Sequence, residues 1–179
     1  MHVNALAASG FKTKIIVDET DCTKTKKMVR RAQPAAELRT ATCDISDKRL
    51  VQKLIDSTPP AYGRIDILIN NAAKFASLDR KPFKKISLTK WYKVISVNLR
   101  GVFILSRAAS PIMKSQKYRK TINIASDTVT KGTINFVHYV PSKGGIFAFT
   151  RTIAKELERF VTCVNSITPG ADVYLHYDA

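Results

Sequence analysis

A tyrosine and a lysine stand four positions apart, at Tyr139 and Lys143, near the start of a segment with helical periodicity. Four residues span about one helical turn, so the two side chains lie on one face of that helix. A phenol has a reference pKa of about 10, but a nearby cation favours the phenolate. A pKa brought towards the working pH suits a general acid or base. By itself, the pair is better explained as a half-buried tyrosine beside a solvated lysine.

The elements that would position this pair are short apolar runs that alternate with longer segments of helical period. Residues 3–9, closed by Gly10, are predicted to be the end of a helix. The alternation predicts a single α/β domain, residues 1–179, with a three-layer doubly wound parallel sheet of the Rossmann-like type. The predicted strands are 14–17, 40–43, 65–69, 121–125 and 161–167, and the later helices are 23–33, 47–58, 88–113 and 139–160.

In a sheet of this type, ligands bind beyond the carboxyl ends of the strands. The residues that follow the predicted strands are polar, small or turn-forming, as a nucleotide and substrate crevice requires. Asn98 adds a polar group within the apolar segment 88–113. The residues at the strand ends are Asp18, Glu19, Asp44, Asn70-Asn71-Ala72-Ala73, Ser126 and Pro169-Gly170.

Taken in order and spacing, these motifs resemble the classical short-chain dehydrogenase/reductase family. Ser126 precedes Tyr139 by 13 residues, the usual spacing in that family, and Tyr139-Val140-Pro141-Ser142-Lys143 resembles the start of its active-site helix. The resemblance covers residues 5–170. Three further segments carry it: Ile67 to Ala73, with Ala73 where the family has glycine, Asn98-Leu99-Arg100-Gly101, and Val164 to Gly170.

The resemblance implies an oxidoreductase that transfers a hydride between a nicotinamide cofactor and a ketone or secondary alcohol. A 3-oxoacyl thioester and a small or aromatic ketone are both within the range of the family. Tyr139 would be the general acid/base, and Lys143 would lower its pKa and hold the nicotinamide ribose. Ser126 would position the substrate oxygen, and Asn98 would belong to the proton relay.

The resemblance also implies where the cofactor binds. An acidic residue after the second strand would bind the adenosine ribose, and Asp18 is the candidate, which favours NAD over NADP. A solvated strand end is the alternative for Asp18, and NADP stays open. Beside Tyr139 and Lys143, the remaining cofactor-binding candidates are Asp44, Ile45, Asn71, Ala72, Ala73, Pro169 and Gly170.

Two segments of the family pattern have no counterpart in the sequence. The family begins with a strand and a glycine-rich turn that holds the pyrophosphate, whereas Gly10 is the only glycine before Gly63. The substrate-covering segment that follows the Pro-Gly turn in the family also has no match after Gly170. We therefore expect the middle part of a dehydrogenase, with the first strand and the last one missing, and weak or no binding of NAD.

Two other functions stay open, and the charge distribution bears on one of them. Lys and Arg number 30 against 14 Asp and Glu, for a formal net charge of +16. Residues 61–120 carry most of the excess, with 14 basic and 2 acidic residues. A non-catalytic homologue could act through an oligomer or partner, as a homodimer or homotetramer of the kind that the resemblance implies. A nucleic-acid binder ranks lower, because no recognised binding motif accompanies the charge.

The remaining composition excludes several classes of protein. The chain is 45% hydrophobic with 7 Gly and 7 Pro, which excludes a collagen-like protein and a wholly disordered one. Three scattered cysteines predict neither a disulfide framework nor a zinc site, and no metal site is predicted from the three histidines. No signal peptide and no membrane span is expected, so the prediction is a cytoplasmic protein.

Overall fold

The structure is a computed structural model that describes residues 3–8, 12–17, 27, 30–31, 38–58, 63–116, 119–160 and 162–170. The strands are β1 (Val3–Ala8), β2 (Lys12–Val17), β3 (Leu38–Thr42), β4 (Ile67–Asn70), β5 (Arg119–Ile124) and β6 (Thr162–Ile167). The α-helices with complete bounds are α1 (Lys48–Asp56), α2 (Leu88–Ile95), α3 (Gly101–Lys114), α4 (Thr128–Lys131) and α5 (Val140–Leu157). Short 3₁₀ turns cover Phe83–Lys85 and Glu158–Phe160.

The six strands form one sheet in the order β3-β2-β1-β4-β5-β6. The chain runs outward from β1 to β3 and then returns to β4 on the other side, which is the doubly wound arrangement. Strand β2 is parallel to β3, and β4, β5 and β6 are parallel to one another. The α/β, doubly wound class predicted from the sequence is therefore confirmed.

Strand β1 departs from the prediction in two ways. Residues 3–9 were expected to be helical, but Val3–Ala8 is a strand, and it fills the central position that was expected to lack one. A short apolar run has no period that separates a buried strand from a helix. β1 is also antiparallel to both neighbours. For β2 this follows from the chain connection, since Ala8 pairs with Lys12 and a three-residue connection cannot make a parallel crossover.

The apolar segment predicted as one helix over 88–113 is three helical pieces in succession. The side chain of Ser87 caps α2 by accepting a hydrogen bond from the Lys90 amide at 3.2 Å. A π-helical segment, Ser96–Arg100, then joins α2 to α3. Such segments widen the turn locally and often occur at functional sites, and this one carries Asn98.

The main core lies where α1 and α3 pack over the sheet. Gly101 allows a close approach, because a Cβ atom there would lie 2.7 Å from Cδ1 of Ile45. A smaller cluster of Val102, Ala125 and Ile146 joins α3, the residue after β5 and α5. Both clusters hold the elements that end at the candidate site. The main cluster contains Cys43, Ile45, Val51, Leu54, Ile55, Ile65, Leu68, Ala72, Val97, Ile104, Leu105, Ala109 and Met113.

Candidate active site

Tyr139 and Lys143 lie at the first turn of α5, as the sequence predicts. Tyr139 is the residue before the helix, and the Lys143 amide donates to the Tyr139 carbonyl at 3.1 Å. The Lys143 ammonium lies 5.8 Å from the centre of the Tyr139 ring. Both side chains are buried, with exposed fractions of 6% for Tyr139 and 3% for Lys143. The helix thus places a cation beside a phenol in a site from which water is largely excluded.

The buried position changes the protonation of Lys143. Desolvation disfavours the ammonium form and lowers its pKa to about 8. The Nζ atom donates to the main-chain carbonyl of Ile124 at 2.6 Å, at the carboxyl end of β5. In the described part of the chain this is the one acceptor that Nζ has. An ammonium carries three donors, so two remain for another partner.

Two phenylalanines hold the ring of Tyr139. Phe136 stacks on it with the ring centres 4.7 Å apart and the planes inclined by 26°. Phe75 contacts it from the loop after β4, with ring centres 5.1 Å apart. The guanidinium of Arg80 lies over the Phe136 ring at 5.3 Å. Phe75, Phe136 and Arg80 were not predicted as site residues, and no motif in the sequence marks them.

Asn98 ties the loop after β4 to the first turn of α5. Its Oδ1 accepts from the Lys74 amide at 2.7 Å, and its Nδ2 donates to Oγ of Ser142 at 3.0 Å. Ser142 in turn donates from Oγ to the Tyr139 carbonyl at 2.6 Å. Asn98 and Ser142 are both fully buried. The predicted residue therefore lies in the site, where it connects to Tyr139 through Ser142.

Ser126 follows β5 and is 7% exposed. Its Oγ accepts from the hydroxyl of Thr128 at 2.9 Å. The turn at Pro169 and Gly170 lies beside it, since the Asp127 amide donates to the Pro169 carbonyl at 3.2 Å. The end of β5, the Pro-Gly turn and the start of α5 thus meet at one edge of the sheet, where the spacing of the motifs places them.

The other predicted cofactor residues have different surroundings. Ala72 and Ala73, which follow Asn71 after the end of β4, are buried. Asp44 is exposed, and its Oδ1 accepts from both the amide and the hydroxyl of Ser46. Ile45 is 1% exposed and belongs to the core, so only its main chain could face a ligand. Asp18 and Glu19 lie outside the described residues.

A buried amide network behind the site was also not predicted. Asn70 donates from Nδ2 to Oδ1 of Asn123 at 2.7 Å, and Asn123 donates to Oγ1 of Thr150 at 2.9 Å. Asn70 and Asn123 occupy paired positions on β4 and β5, and Thr150 lies on α5. These bonds join the two strands and the helix that carry the site residues.

Neither a metal-binding cluster nor a membrane-spanning helix occurs among the described residues. No group of three or more His, Cys, Asp or Glu side chains there could hold a metal ion. Across the same residues, the structure has no helix with the length and apolar character needed to cross a membrane.

A family model and several known proteins match most of this chain. The family model described as short chain dehydrogenase matches residues 2–172. Levodione reductase of Leifsonia aquatica is 33% identical over 167 residues, which cover 93% of this chain and 62% of that protein. A 3-oxoacyl-[acyl-carrier-protein] reductase of Synechocystis sp. is 31% identical over 167 residues, which are 93% of this chain and 66% of that protein.

Solved structures agree in fold. The crystal structure of levodione reductase superposes with a TM-score of 0.82 at 31% identity, over 88% of this chain and 61% of that one. The crystal structure of NAD⁺-bound xylitol dehydrogenase superposes with a TM-score of 0.76 at 33% identity, over 82% of this chain and 55% of that one. The chain spans about three fifths of the length of these relatives.

Proposed function

Because the chain belongs to the short chain dehydrogenase family, we propose that its site interconverts a ketone and a secondary alcohol with a nicotinamide cofactor. The observation that carries the proposal is the buried pair at the start of α5, with the Lys143 ammonium 5.8 Å from the Tyr139 ring. A buried cation beside a phenol is the arrangement that lowers a phenol pKa towards the working pH. Levodione reductase and the 3-oxoacyl reductase are named for reductions, which supports the same reaction class here.

The nicotinamide end of a cofactor fits the described residues. The two free donors of Lys143 suit a pair of ribose hydroxyls, and the turn at Pro169 and Gly170 borders the same edge of the sheet. A bound nicotinamide would supply or accept the hydride. NAD is the proposed form, because an acidic residue at the position of Asp18 would favour NAD over NADP. NADP is the alternative.

The phosphate end of the cofactor has less support. Ala7 of β1 pairs with Ile67 at the start of β4, so the carboxyl end of β1 lies at the edge opposite the site. In a parallel strand that end would lead into the helix N-terminus that holds a pyrophosphate. The proposal therefore includes weak cofactor binding by this chain.

Each site residue then has a defined task. In the direction of reduction, the Tyr139 hydroxyl donates a proton to the substrate oxygen, while the Ser126 hydroxyl donates a hydrogen bond to the same oxygen. The Lys143 ammonium stabilises the phenolate left on Tyr139. Asn98 acts on Tyr139 through Ser142 and keeps the first turn of α5 fixed against the loop at Lys74.

The test is an assay of the chain at millimolar NADH and NADPH, which compensates for weak binding. The substrates include a cyclic diketone and an acetoacetyl thioester. Oxidation of the cofactor that depends on substrate is expected, and Tyr139→Phe should reduce its rate by about 10²-fold or more. The phenylalanine variant keeps the ring contacts with Phe75 and Phe136, so a lower rate reports the loss of the hydroxyl group and not a change in packing. Equal rates in the two proteins would remove Tyr139 from the mechanism.

A further inference from the structure

Arg119 is a buried cation for which the described chain provides no counter-charge. It is the first residue of β5 and is 5% exposed. Its guanidinium donates at 3.3 Å to Oγ1 of Thr162, which pairs with it at the start of β6, and its buried Nε atom has no hydrogen-bond partner. No described carboxylate forms a salt bridge with it. An arginine keeps its charge at physiological pH, and buried charges in proteins are normally paired, so this position calls for an anion.

A partly open cavity adjoins the guanidinium between α3, α5 and the sheet. Arg119, Thr121 and Asn123 share one face of β5, because side chains alternate along a strand. The hydrogen bond from Asn123 to Thr150 shows that α5 covers this face. Thr121 and Thr162 both line the cavity, so the hydrogen bond to Thr162 holds the guanidinium at its wall. The cavity has about 280 Å³ of empty space, its opening to solvent included.

The wall of the cavity presents hydroxyl groups that have no acceptor. Four hydroxyl-bearing residues line it, namely Ser106, Ser110, Thr121 and Thr162. Within the part of the chain that the structure describes, none of the four donates a hydrogen bond, although Ser106 and Thr162 each accept one. A hydroxyl group donates as well as accepts. These side chains can therefore donate to a ligand that brings acceptor atoms.

Lys114 brings a second positive charge to the same cavity. It is the last residue of α3, it is exposed, and it lines the cavity. Its ammonium lies 4.7 Å from the centre of the Phe160 ring, and the guanidinium of Arg159 lies 4.8 Å from the same centre. Neither cation forms a salt bridge with a carboxylate among the described residues. An anion bound here would meet several positive charges and no negative one.

We propose that this cavity binds a phosphate group, supplied by inorganic phosphate or by a small phosphate ester. The guanidinium of Arg119 and the ammonium of Lys114 would neutralise its charge, and the hydroxyls of Ser110 and Thr121 would donate to its oxygens. Because these donors come from both the sheet and α3, a tetrahedral oxyanion meets them better than a planar carboxylate does. A bound water would accept from Nε, but it would leave both charges uncompensated.

The size of the cavity determines how the phosphate group is held. The enclosed part has room for little more than one water-sized group, so one or two oxygens lie inside and the rest of the group lies in the opening. The site is also separate from the candidate active site. Arg119 and Thr162 begin β5 and β6, whereas Ser126 and Pro169 follow the other ends of these strands. The binding therefore goes beyond the proposed reaction and does not depend on it.

The direct test is isothermal titration calorimetry of the full chain with sodium phosphate, in about 150 mM NaCl, which screens nonspecific attraction of anions to the net charge of +16. Saturable binding at one site is expected. Arg119→Met keeps a similar volume without the charge and should weaken binding at least about tenfold. Lys114→Met should weaken it about threefold or more. The matched control Lys53→Met, which removes an exposed cation from α1, should leave binding unchanged.

Thermal unfolding separates a binding role of Arg119 from a structural one. Phosphate should raise the melting temperature of the parent chain. Without phosphate, Arg119→Met should melt at the same temperature as the parent or higher, because a buried unpaired charge is gone, and phosphate should no longer raise that temperature. Ser110→Ala removes one donor and should weaken phosphate binding about threefold. If Arg119→Met does not fold, Lys114→Met and Ser110→Ala carry the test.

Two results would overturn the proposal. One is equal phosphate affinity in the parent chain and in the variants at Arg119, Lys114 and Ser110. The other is a melting temperature that rises no more in phosphate than in sodium chloride of the same ionic strength, which would show that water fills the cavity. A titration with glycerol 3-phosphate distinguishes the two sources of the phosphate group. Tighter binding than that of inorganic phosphate assigns the site to an ester, and equal or weaker binding assigns it to the free ion.

Discussion

Replacement of Lys143 by methionine should stabilise the protein at neutral pH. Methionine fills nearly the same volume without a charge, so it removes the cost of burying an ammonium that is 3% exposed. The pKa of Lys143 falls from 10.5 to about 8 on burial, and each pKa unit corresponds to about 1.4 kcal/mol. The charged side chain therefore costs about 3 kcal/mol at pH 7.

The variant also loses a favourable contact, the 2.6 Å hydrogen bond from Nζ to the Ile124 carbonyl. A buried carbonyl that loses its partner costs about 1–2 kcal/mol. The difference leaves Lys143→Met more stable than the parent chain by about 1–2 kcal/mol at pH 7. Both proteins would be unfolded in urea and followed by far-ultraviolet circular dichroism.

The sign of the change in stability with pH tests whether burial lowers the pKa of Lys143. Because the folded-state pKa lies below the unfolded one, the unfolded chain binds more protons between about pH 8 and 10.5, and the parent chain gains stability as the pH rises. The penalty is fully present below pH 8. Relative to the variant, the parent should gain about 2 kcal/mol between pH 7 and 9.5, so the two become nearly equal.

The comparison of two proteins that differ at one side chain cancels the titration of all other groups. A variant that is less stable than the parent at pH 7, with a deficit that does not change up to pH 9.5, would refute the reasoning. Lys143 would then be stabilised in its charged form, and the pKa depression caused by burial would be wrong. Loss of activity in the variant is expected but does not enter this test.

Three other predictions follow from the packing and the topology. Isothermal titration calorimetry with NAD should show no saturable binding in the micromolar range, because the carboxyl end of β1 lies away from the site; a micromolar dissociation constant would contradict this. Asn98→Ala should lower the free energy of unfolding in urea by about 2 kcal/mol, since it leaves the Lys74 amide and the buried Ser142 hydroxyl with fewer partners; no change would show that water replaces the amide. Gly101→Ala should cost about 1–3 kcal/mol by overpacking against Ile45, whereas Gly144→Ala, whose Cβ would lie 3.7 Å from Val129, should be neutral or stabilising; equal melting temperatures would refute the comparison.

The sequence predicted the fold correctly where the spacing of the apolar residues agrees with the turn and capping residues that bound an element. The strand before Asn70 and the helix after Tyr139 are both where the pattern of apolar residues places them. The pattern failed at residues 3–9, where an apolar run fits a buried strand and a helix equally well. Its partners β2 and β4 decide the outcome, and the pairing with β4 involves residues sixty or more positions away.

The site shows the same limit. Tyr139, Lys143, Ser126 and Asn98 were named from spacing and resemblance, and the structure brings them to one edge of the sheet. Phe136 was not named, although it lies three residues before Tyr139. A stacking contact between neighbours in a loop has no period, so only the folded chain shows it.

The buried polar groups of the site give a reason for its construction. Lys143 is expensive to bury, and two of its three donors have no acceptor among the described residues. A site selected for stability alone would place an apolar side chain at this position. The surrounding contacts instead keep the lysine in place: Asn98 and Ser142 fix the first turn of the helix, and the Ile124 carbonyl aligns the ammonium. This arrangement fits a lysine retained for the proton transfer proposed for Tyr139, and the comparison of Lys143→Met with the parent chain across pH measures the cost of that retention.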